Sequence, residues 1–463
     1  TPFCLIKKIT MGSIVAVLVR SIPINLALAE KMLAAAPHRG SEFAVRACGS
    51  CLLGVSNRRD FTDSTISSEG AWMAAFSGTL DNAVPLAKVL SETGHKPAST
   101  DAADITVAAF QAFGAEAPNR MRGEFVGAVS DGRQMWCFRD HIGFKPLFYR
   151  DDPRAFFVAM EPKQILEGAN LKREPNLEVL ERIFYGQLPP DLPSALQGVE
   201  RLPQASTLVA DSANAGKPKR YWRPAELLET ACIKPAELSE NFTKLFAQAV
   251  DRSLSGEDVI SLSGGIDSPA VAAFAAPQHL ERTGRAISAL SIVFPDVSSV
   301  DERPYIEMVS KYLGINLHTY QIQAGVLDNL KRWCALVDGP VPTIALPEIH
   351  EYYDRAHQLG FRNVLTGELA EFLLIFPRHL FGHLLVHGRW KALSRLIATE
   401  VKQGASRKEI GRQLLTAFVP GGIANRYLRV RGLDNPQRVP DWLDRRTVNE
   451  KAPYRSDLSE PAR

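Results

Sequence analysis

The sequence predicts two domains in tandem: a layered α+β domain with largely antiparallel strands, then an α/β domain built on a doubly wound parallel sheet and ending in a helical extension. Three observations predict this. Residues 11 to about 160 alternate short apolar runs with turns, the mark of β structure interrupted by few helices. From about residue 239 strands alternate with helical stretches, which implies a parallel sheet with crossover helices. After Phe376 the chain carries helical patterning only, broken at Pro420-Gly421-Gly422.

The elements follow in order. "SIVAVLV" reads as a first strand and residues 24–36 as a helix. Residues 102–113 form a second helix, and "FVGAVSD", "MWCFRD", "PLFYR" and "AFFVAM" are strands. Residues 176–238, rich in Pro and turn residues at "YGQLPPDLPSALQGVERLPQ" and "KPKRYWRP", read as a connector between domains spanning 11–175 and 239–375. In the second domain "DVISLS", "AISALSIVF", "LHTYQI" and "NVLTG" are strands, with helices near 268–275, 301–313 and 347–359. Pro269 and Pro347 suit first helical turns, and Gly314 and Gly360 fall where helices end. Residues 376–445 form a basic helical region, and the polar 446–463 read as a disordered tail.

Composition narrows the function. The 463 residues are 45% hydrophobic and 23% charged, with a net charge of +3, which argues for neither nucleic acid nor membrane. The charge is uneven: from Phe376 onward 17 basic residues face 8 acidic ones, so a solvated helical surface or an acidic partner is expected there. No 18-residue apolar run is present, so a cytoplasmic protein without a membrane span is expected. The opening "KKITMGSIVAVLVRSIPINLALAEK" loosely imitates a signal peptide, but Arg20 and Pro23 interrupt it, and a strand followed by a helix reads better. Met11 is expected to be the natural start. Cys48 and Cys51 form a CxxC without a second pair, so a structural role is expected rather than a metal or redox one.

Two loops carry chemistry. In "VISLSGGIDSPAV" a strand ends at Leu262, and Ser263-Gly264-Gly265 makes a turn whose backbone N–H groups can approach an anion. The helix that follows points its positive end at the same place, and Asp267 offers a carboxylate for Mg²⁺. Without GK[ST] this is not a Walker A loop; hydroxyl-rich S-G-G-x-D-S suits pyrophosphate. The second loop, "VLTGELAEF", also follows a buried strand, so both face one crevice at the carboxyl ends of a parallel sheet. Glu368 and Glu371, three apart, can converge there, one on a metal and the other on a proton.

These residues resemble the synthetase half of the asparagine synthetase family. The first domain agrees: "PHRGSE", "RGEFVGAVSD", "FRDHIGFKPLFY", "VAMEPKQIL" and "LQGVERLPQASTLV" followed by "KRYW" are similar to that family's HRGPD, GxFAFxxxD, RDxxGxKPLYY, SELKAL and connector segments. The resemblance implies an Ntn-type glutaminase-like domain followed by an ATP pyrophosphatase domain, with ATP and Mg²⁺ as cofactors. It implies attack of a carboxylate on the α-phosphate of ATP, release of pyrophosphate, and displacement of AMP by an amine. Carried over by position, Ser263, Gly264, Gly265, Asp267 and Ser268 hold pyrophosphate and metal. Leu262, Val293, Thr366 and Gly367 line the adenosine pocket, Glu368 assists proton transfer, and Glu371 replaces a metal-binding Asp.

Departures from the family pattern set the subtype. Glutamine-using members carry a Cys directly after the initiator Met; here Gly12 and Ser13 follow Met11, and Cys4 precedes it. The glutamine-holding Asn is Ser77, and the matching Asp falls near Ala102. Members without that Cys are similar to β-lactam synthetases and lasso-peptide macrolactam synthetases, and "DERPYIEMV" looks more like the lasso type. The expected substrate is therefore a peptide or small-molecule carboxylate closed on its own amine, with a precursor peptide and its processing protease as partners. Asparagine synthesis and a nucleotide-binding homologue without turnover are the alternatives. Leu369 stands where the family has Gly, and the family's late Lys has no good counterpart: Lys451 lies in a polar tail, so a truncated synthetase domain is expected. His379, His383 and His387 share one helix face and read as polar surface rather than as a zinc site.

Overall fold

The computed structural model describes residues 12–59, 62–184, 192–224, 235–323, 325 and 329–368, together with 381, 384–385, 387–402, 404, 406, 410–411 and 414. Met11, Cys4, Glu371, His379, His383, Lys451 and the tail 446–463 lie outside the described residues. The chain divides into two compact units, one of Thr1–Leu180 with Leu188–Glu368, the other of Glu181–Gln187 with Leu369–Arg463.

The amino-terminal half is built on β1 (Ser13–Val19), β2 (Glu42–Cys48), β3 (Cys51–Asn57), β4 (Ser64–Glu69), β5 (Trp72–Leu80), β6 (Gly123–Ser130), β7 (Met135–Arg139), β8 (Phe148–Asp152) and β9 (Ala155–Ala159). Three later strands join them: β10 (Glu200–Arg201), β11 (Ser206–Ala210) and β12 (Lys219–Arg220). They form two six-stranded antiparallel sheets, ordered β10-β8-β9-β1-β3-β2 and β12-β11-β7-β6-β5-β4. The stretch read as a connector thus supplies an edge strand to the first sheet and two strands to the second, because Glu200↔Tyr149 and Leu208↔Cys137 are paired. Short strands amid Pro and Gly escape a periodicity reading.

The apolar strands are continuous because both of their faces are covered. Ile14, Ala16 and Leu18 of β1 point between the sheets, against Ala75, Val126 and Ala128. Val15 and Val17 point outward, against α1 (Leu26–Ala34) and the later helix at Pro162–Ala169. On the other side Phe76, Phe125 and Phe138 pack against α2 (Ala83–Glu92) and α3 (Ala102–Phe113). This helix–sheet–sheet–helix stack is the layered Ntn-type arrangement that the resemblance implied. Cys48 and Cys51 are paired across the β2–β3 turn, each as a free thiol.

The helices continue with α4 (Ala117–Arg120), α5 (Pro162–Ala169), α6 (Leu177–Phe184), α7 (Pro235–Ser253), α8 (Asp267–Thr283), α9 (Arg303–Leu313), α10 (Leu330–Val337) and α11 (Leu346–Gln358). The second sheet system comprises β13 (Asp258–Ser261), β14 (Ser288–Ile292), β15 (Asn316–Tyr320) and β16 (Asn363–Leu365), all parallel and ordered β15-β14-β13-β16. One face packs on Val250, Val271, Ala275 and Ile306, from α7, α8 and α9; the other packs on Tyr352 and Ala356, from α11. The α/β domain is therefore doubly wound as predicted. Helix α8 begins at Asp267, one residue before the predicted start, and runs on through Pro277, whose ring cannot donate to the Ala273 carbonyl. Gly314 closes α9 with φ 66°, as expected of a helix-ending glycine.

A buried carboxylate helps tie the two halves of the first unit together, beside a bond from Lys163 Nζ to the Leu336 carbonyl at 2.9 Å. Asp338, in the "DGPVP" loop, accepts from the Lys163 backbone N–H at 3.0 Å and from Arg173 at 2.9 Å. That loop joins the halves, a role its sequence did not announce. In the second unit a helix spans Trp390–Lys402, and Leu393 packs with Phe381, Leu384 and Ile410. Among the described residues no helix is long and apolar enough to cross a membrane.

Candidate active site

Strand order places the site. From β13 the chain moves outward to β14 and β15, then returns to lay β16 on the other side of β13. The loops after β13 and β16 are therefore adjacent at the topological switch point, where open α/β sheets bind ligands. Gly367 lies directly on the start of α8: a Cβ built there would meet the Ser268 amide nitrogen at 2.5 Å and the Asp267 carbonyl carbon at 2.7 Å. The structure thus brings "SGGIDS" and "TGE" together.

The first loop is organised by hydroxyls. Ser263 donates its backbone N–H to Ser268 Oγ at 2.9 Å, and the two hydroxyls lie 2.8 Å apart. Gly265 donates weakly to Ser263 Oγ at 3.4 Å. Leu262 is buried and its carbonyl accepts from Ser291 Oγ at 2.7 Å. Val293 is buried and its N–H donates to the Tyr320 carbonyl at 3.0 Å, which puts it at the end of β14 beside the same crevice. Thr366 and Gly367 are half-buried, and Glu368 is exposed.

Two residues that the sequence left without a role belong to the site. Glu302, just before α9, accepts the Gly264 N–H on Oε2 at 2.8 Å. A carboxylate thus sits where the loop offers an N–H to an anion, so the protein's own structure shows an anion on that cradle. Tyr352 donates to the Leu290 carbonyl at 3.0 Å and lies within electrostatic reach of Glu368. Burial pushes its phenol well above the usual range; a hydrogen bond with Ser261 opposes this and Glu368 adds to it. Local signals for both existed, an acid at a helix start and an aromatic on an apolar helix face, but neither marks a site until the fold brings it there.

Donor chemistry fits ATP with Mg²⁺. The loop binds a carboxylate through Gly264, and Gly367 leaves no room for a side chain between the loops. Among the described residues no group of three metal-binding side chains exists. Mg²⁺ needs only one or two protein carboxylates when substrate phosphates supply the rest. Asp267 stands at the start of α8, while Glu371 lies outside the described residues.

Removing the Glu302 charge tests the cradle. The substitution Glu302→Gln is expected to tighten binding of ATP–Mg²⁺ or pyrophosphate about threefold to tenfold, because a neutral amide is a weaker competitor for the Gly264 N–H. Calorimetry measures it, and weaker binding would instead make Glu302 a ligand for the metal.

A second constellation occupies the amino-terminal domain, around Gly12. A Cβ at Gly12 would meet Asp63 Oδ1 at 2.0 Å and Ser64 Oγ at 2.2 Å. Gly12 donates its N–H to Asp63 Oδ1 at 2.9 Å, and Lys145 Nζ closes on Asp63 Oδ2 at 3.0 Å and on Ser77 Oγ at 3.4 Å. Burial lowers the Lys145 ammonium from its usual range, and Asp63 opposes that shift. Ser13 is buried and donates to Gln164 Oε1 at 3.2 Å. The space beside residue 12 is therefore occupied by Asp63 and Ser64, and Ser77 meets the Lys145 end of the Asp63–Lys145 ion pair.

Comparisons with known proteins agree with this division. The glutamine amidotransferase domain family matches residues 11–222, and the asparagine synthase family matches 241–459. A glutamine-hydrolysing asparagine synthetase of Bacillus subtilis is 26% identical over 245 residues, 50% of this chain and 32% of that protein. A putative asparagine synthetase of Mycobacterium tuberculosis is 29% identical over 216 residues, 44% of this chain and 33% of that protein. Another from Methanocaldococcus jannaschii is 26% identical over 306 residues, 60% of this chain and 57% of that protein. The chain thus spans between a third and just over half of the length of these relatives.

Proposed function

The chain belongs to the asparagine synthetase family, with a glutamine amidotransferase domain followed by an asparagine synthase domain, and on that premise we propose that it is an ATP-dependent amide-forming ligase that has given up glutamine as its nitrogen source. The observation that carries the ligase reading is the seating of Gly367 on Asp267 and Ser268. It joins a pyrophosphate cradle to the loop bearing Glu368. A substrate carboxylate oxygen attacks the α-phosphorus of ATP and pyrophosphate leaves. An amine then attacks the acyl carbon, AMP leaves, and Glu368 accepts the proton from the amine. Asp267 and Glu371 would hold Mg²⁺, which neutralises the leaving pyrophosphate.

The filled pocket at Gly12 supports the second half of the proposal. A nucleophilic side chain would collide with Asp63, and Lys145 takes up the Ser77 hydroxyl. The amine then comes from free ammonia or from the substrate. Ring closure within one molecule removes the need for a second nitrogen donor, so a macrolactam of a precursor peptide, made in the cytoplasm, is the preferred product and asparagine the second reading.

The protein with ATP–Mg²⁺ and a candidate precursor peptide is expected to yield AMP, pyrophosphate and a peptide lighter by one water. Asparagine formed from aspartate would select the second reading. A folded protein giving neither product would overturn both. The variant Gly12→Cys is expected to release no glutamate from glutamine, since Asp63 occupies the thiol's place; glutamate from it would overturn the reading of the pocket.

A further inference from the structure

A cavity of about 450 Å³ opens between the amidotransferase-type half and the synthetase half of the first unit. Its walls are largely apolar, with Phe144, Phe148, Met160, Leu336 and Val337 among them. Most of the charges that reach it are already paired. Glu161 binds Arg39, His38 and Lys163. Burial acts to raise the Glu161 carboxyl, and these partners outweigh it and hold the group well below the usual range. Asp338 binds Lys163 and Arg173, Lys145 binds Asp63, and His350 binds Asp354.

Arg201 is different. Strand register sets it opposite Phe148, and its guanidinium carbon lies 5.2 Å from that ring's centre. Its Nε is out of solvent and donates to no atom among the described residues. No acidic side chain among them lies within ion-pair distance of it. A guanidinium held against an aromatic face, with its in-plane donors open, is built to receive a planar anion from the side. Leaving such a charge uncompensated in an apolar wall is costly, and an incoming carboxylate removes that cost.

We propose that this cavity is a binding site for a carboxylate with a small apolar body, the carboxylate held on Arg201 and the body lying among Phe144, Met160, Leu336 and Val337. The volume suits a ligand of one or two amino-acid residues. The site is separate from the crevice at the carboxyl ends of β13 and β16, and it does not depend on the reaction proposed there. Its position, where the two halves meet, makes it a place from which a bound acid changes how firmly they hold together.

The test uses the full chain and three probes: N-acetyl-leucine, N-acetyl-leucinamide and the peptide acetyl-Ala-Ala-Leu with a free carboxyl end, each titrated by calorimetry. N-acetyl-leucine or the peptide acid is expected to bind, the amide to bind at least tenfold more weakly, and Arg201→Met to lose the acid while keeping its melting temperature and its affinity for ATP–Mg²⁺. Tighter binding of the peptide assigns the site to a peptide's carboxyl end, and equal binding to a free small acid; both support it. Acids that fail to bind the native protein at millimolar concentration overturn the proposal. So does equal binding of acid and amide, or equal binding by Arg201→Met. Arg201→Lys keeps the charge and loses the fork, and is expected to retain part of the affinity.

Discussion

Replacing Asp63 by Ala is expected to destabilise the amino-terminal domain by about 3–5 kcal/mol, the cost of leaving one member of a buried ion pair alone. Asp63 satisfies three donors at once: Gly12 N–H at 2.9 Å, Ser64 Oγ at 3.2 Å and Lys145 Nζ at 3.0 Å. The paired side chains of Lys145 and Asp63 are only 9% and 5% exposed, so water cannot take the carboxylate's place cheaply. Asp63→Ala leaves the ammonium with a long hydrogen bond to Ser77 Oγ, 3.4 Å away, among the described residues. The double variant Asp63→Ala, Lys145→Met removes both charges and is expected to recover most of the loss.

Denaturant unfolding of the four proteins in this cycle measures the coupling. The single variant should also carry a pH signature. Burial already lowers the folded-state value of Lys145, and loss of Asp63 removes the main opposing influence. The unfolded chain then binds more protons than the native one, so the stability of Asp63→Ala rises as pH climbs from neutral towards the free lysine value of about 10. A loss below about 1 kcal/mol, or a double variant no better than the single one, would mean that the pair contributes little.

How much of this was legible in the sequence depends on the range of the interaction. The strands of the parallel sheet and the helices at 303–313 and 346–358 were visible because their signals are local: periodicity, a proline at the start, a glycine at the end. The two loops were visible because each is a motif of consecutive residues. Strands β2 and β4 were not placed, since their apolar runs are short and half-exposed, as in "STISSE". The strands at 200–201, 206–210 and 219–220 were read as connector because only pairing with β8 and β7 gives them a conformation.

Sites fared the same way. Ser263 to Ser268, Gly367 and Glu368 were singled out in the sequence, and the structure brings their two loops together. Glu302 lies 38 residues from the Gly264 amide it accepts, and Asp63 lies 82 residues from Lys145. No spacing rule links residues so far apart. The sequence did show that Gly12 lacks the family's thiol. It did not show that Asp63 and Ser64 stand where a side chain at residue 12 would go.

The closest test of the joined loops is Gly367→Ala, expected to lower AMP release about a hundredfold while the protein stays folded. The added methyl would lie 2.5 Å from the Ser268 nitrogen, 2.7 Å from the Asp267 carbonyl carbon and 2.9 Å from the Ser268 Cα. All three are backbone atoms at the start of α8, so no side chain can swing aside; one loop must move. Overpacking of this kind costs about 1–3 kcal/mol, which a domain of this size survives. In the proposed reaction a displacement near 1 Å between the two loops is enough to misplace both ATP for attack by the carboxylate and Glu368 for the later proton transfer. Binding of ATP–Mg²⁺, measured separately, should weaken in parallel. The companion Gly265→Ala separates two causes. A methyl there meets only Ser263 Oγ, at 3.5 Å, so the unliganded protein accommodates it. Loss of nucleotide binding at residue 265 therefore reports the ligand's own approach to the backbone, and loss at residue 367 reports the spacing of the loops. If Gly367→Ala releases AMP within threefold of the native rate, the seating of one loop on the other is not what assembles the site, and the ligase reading loses its main support.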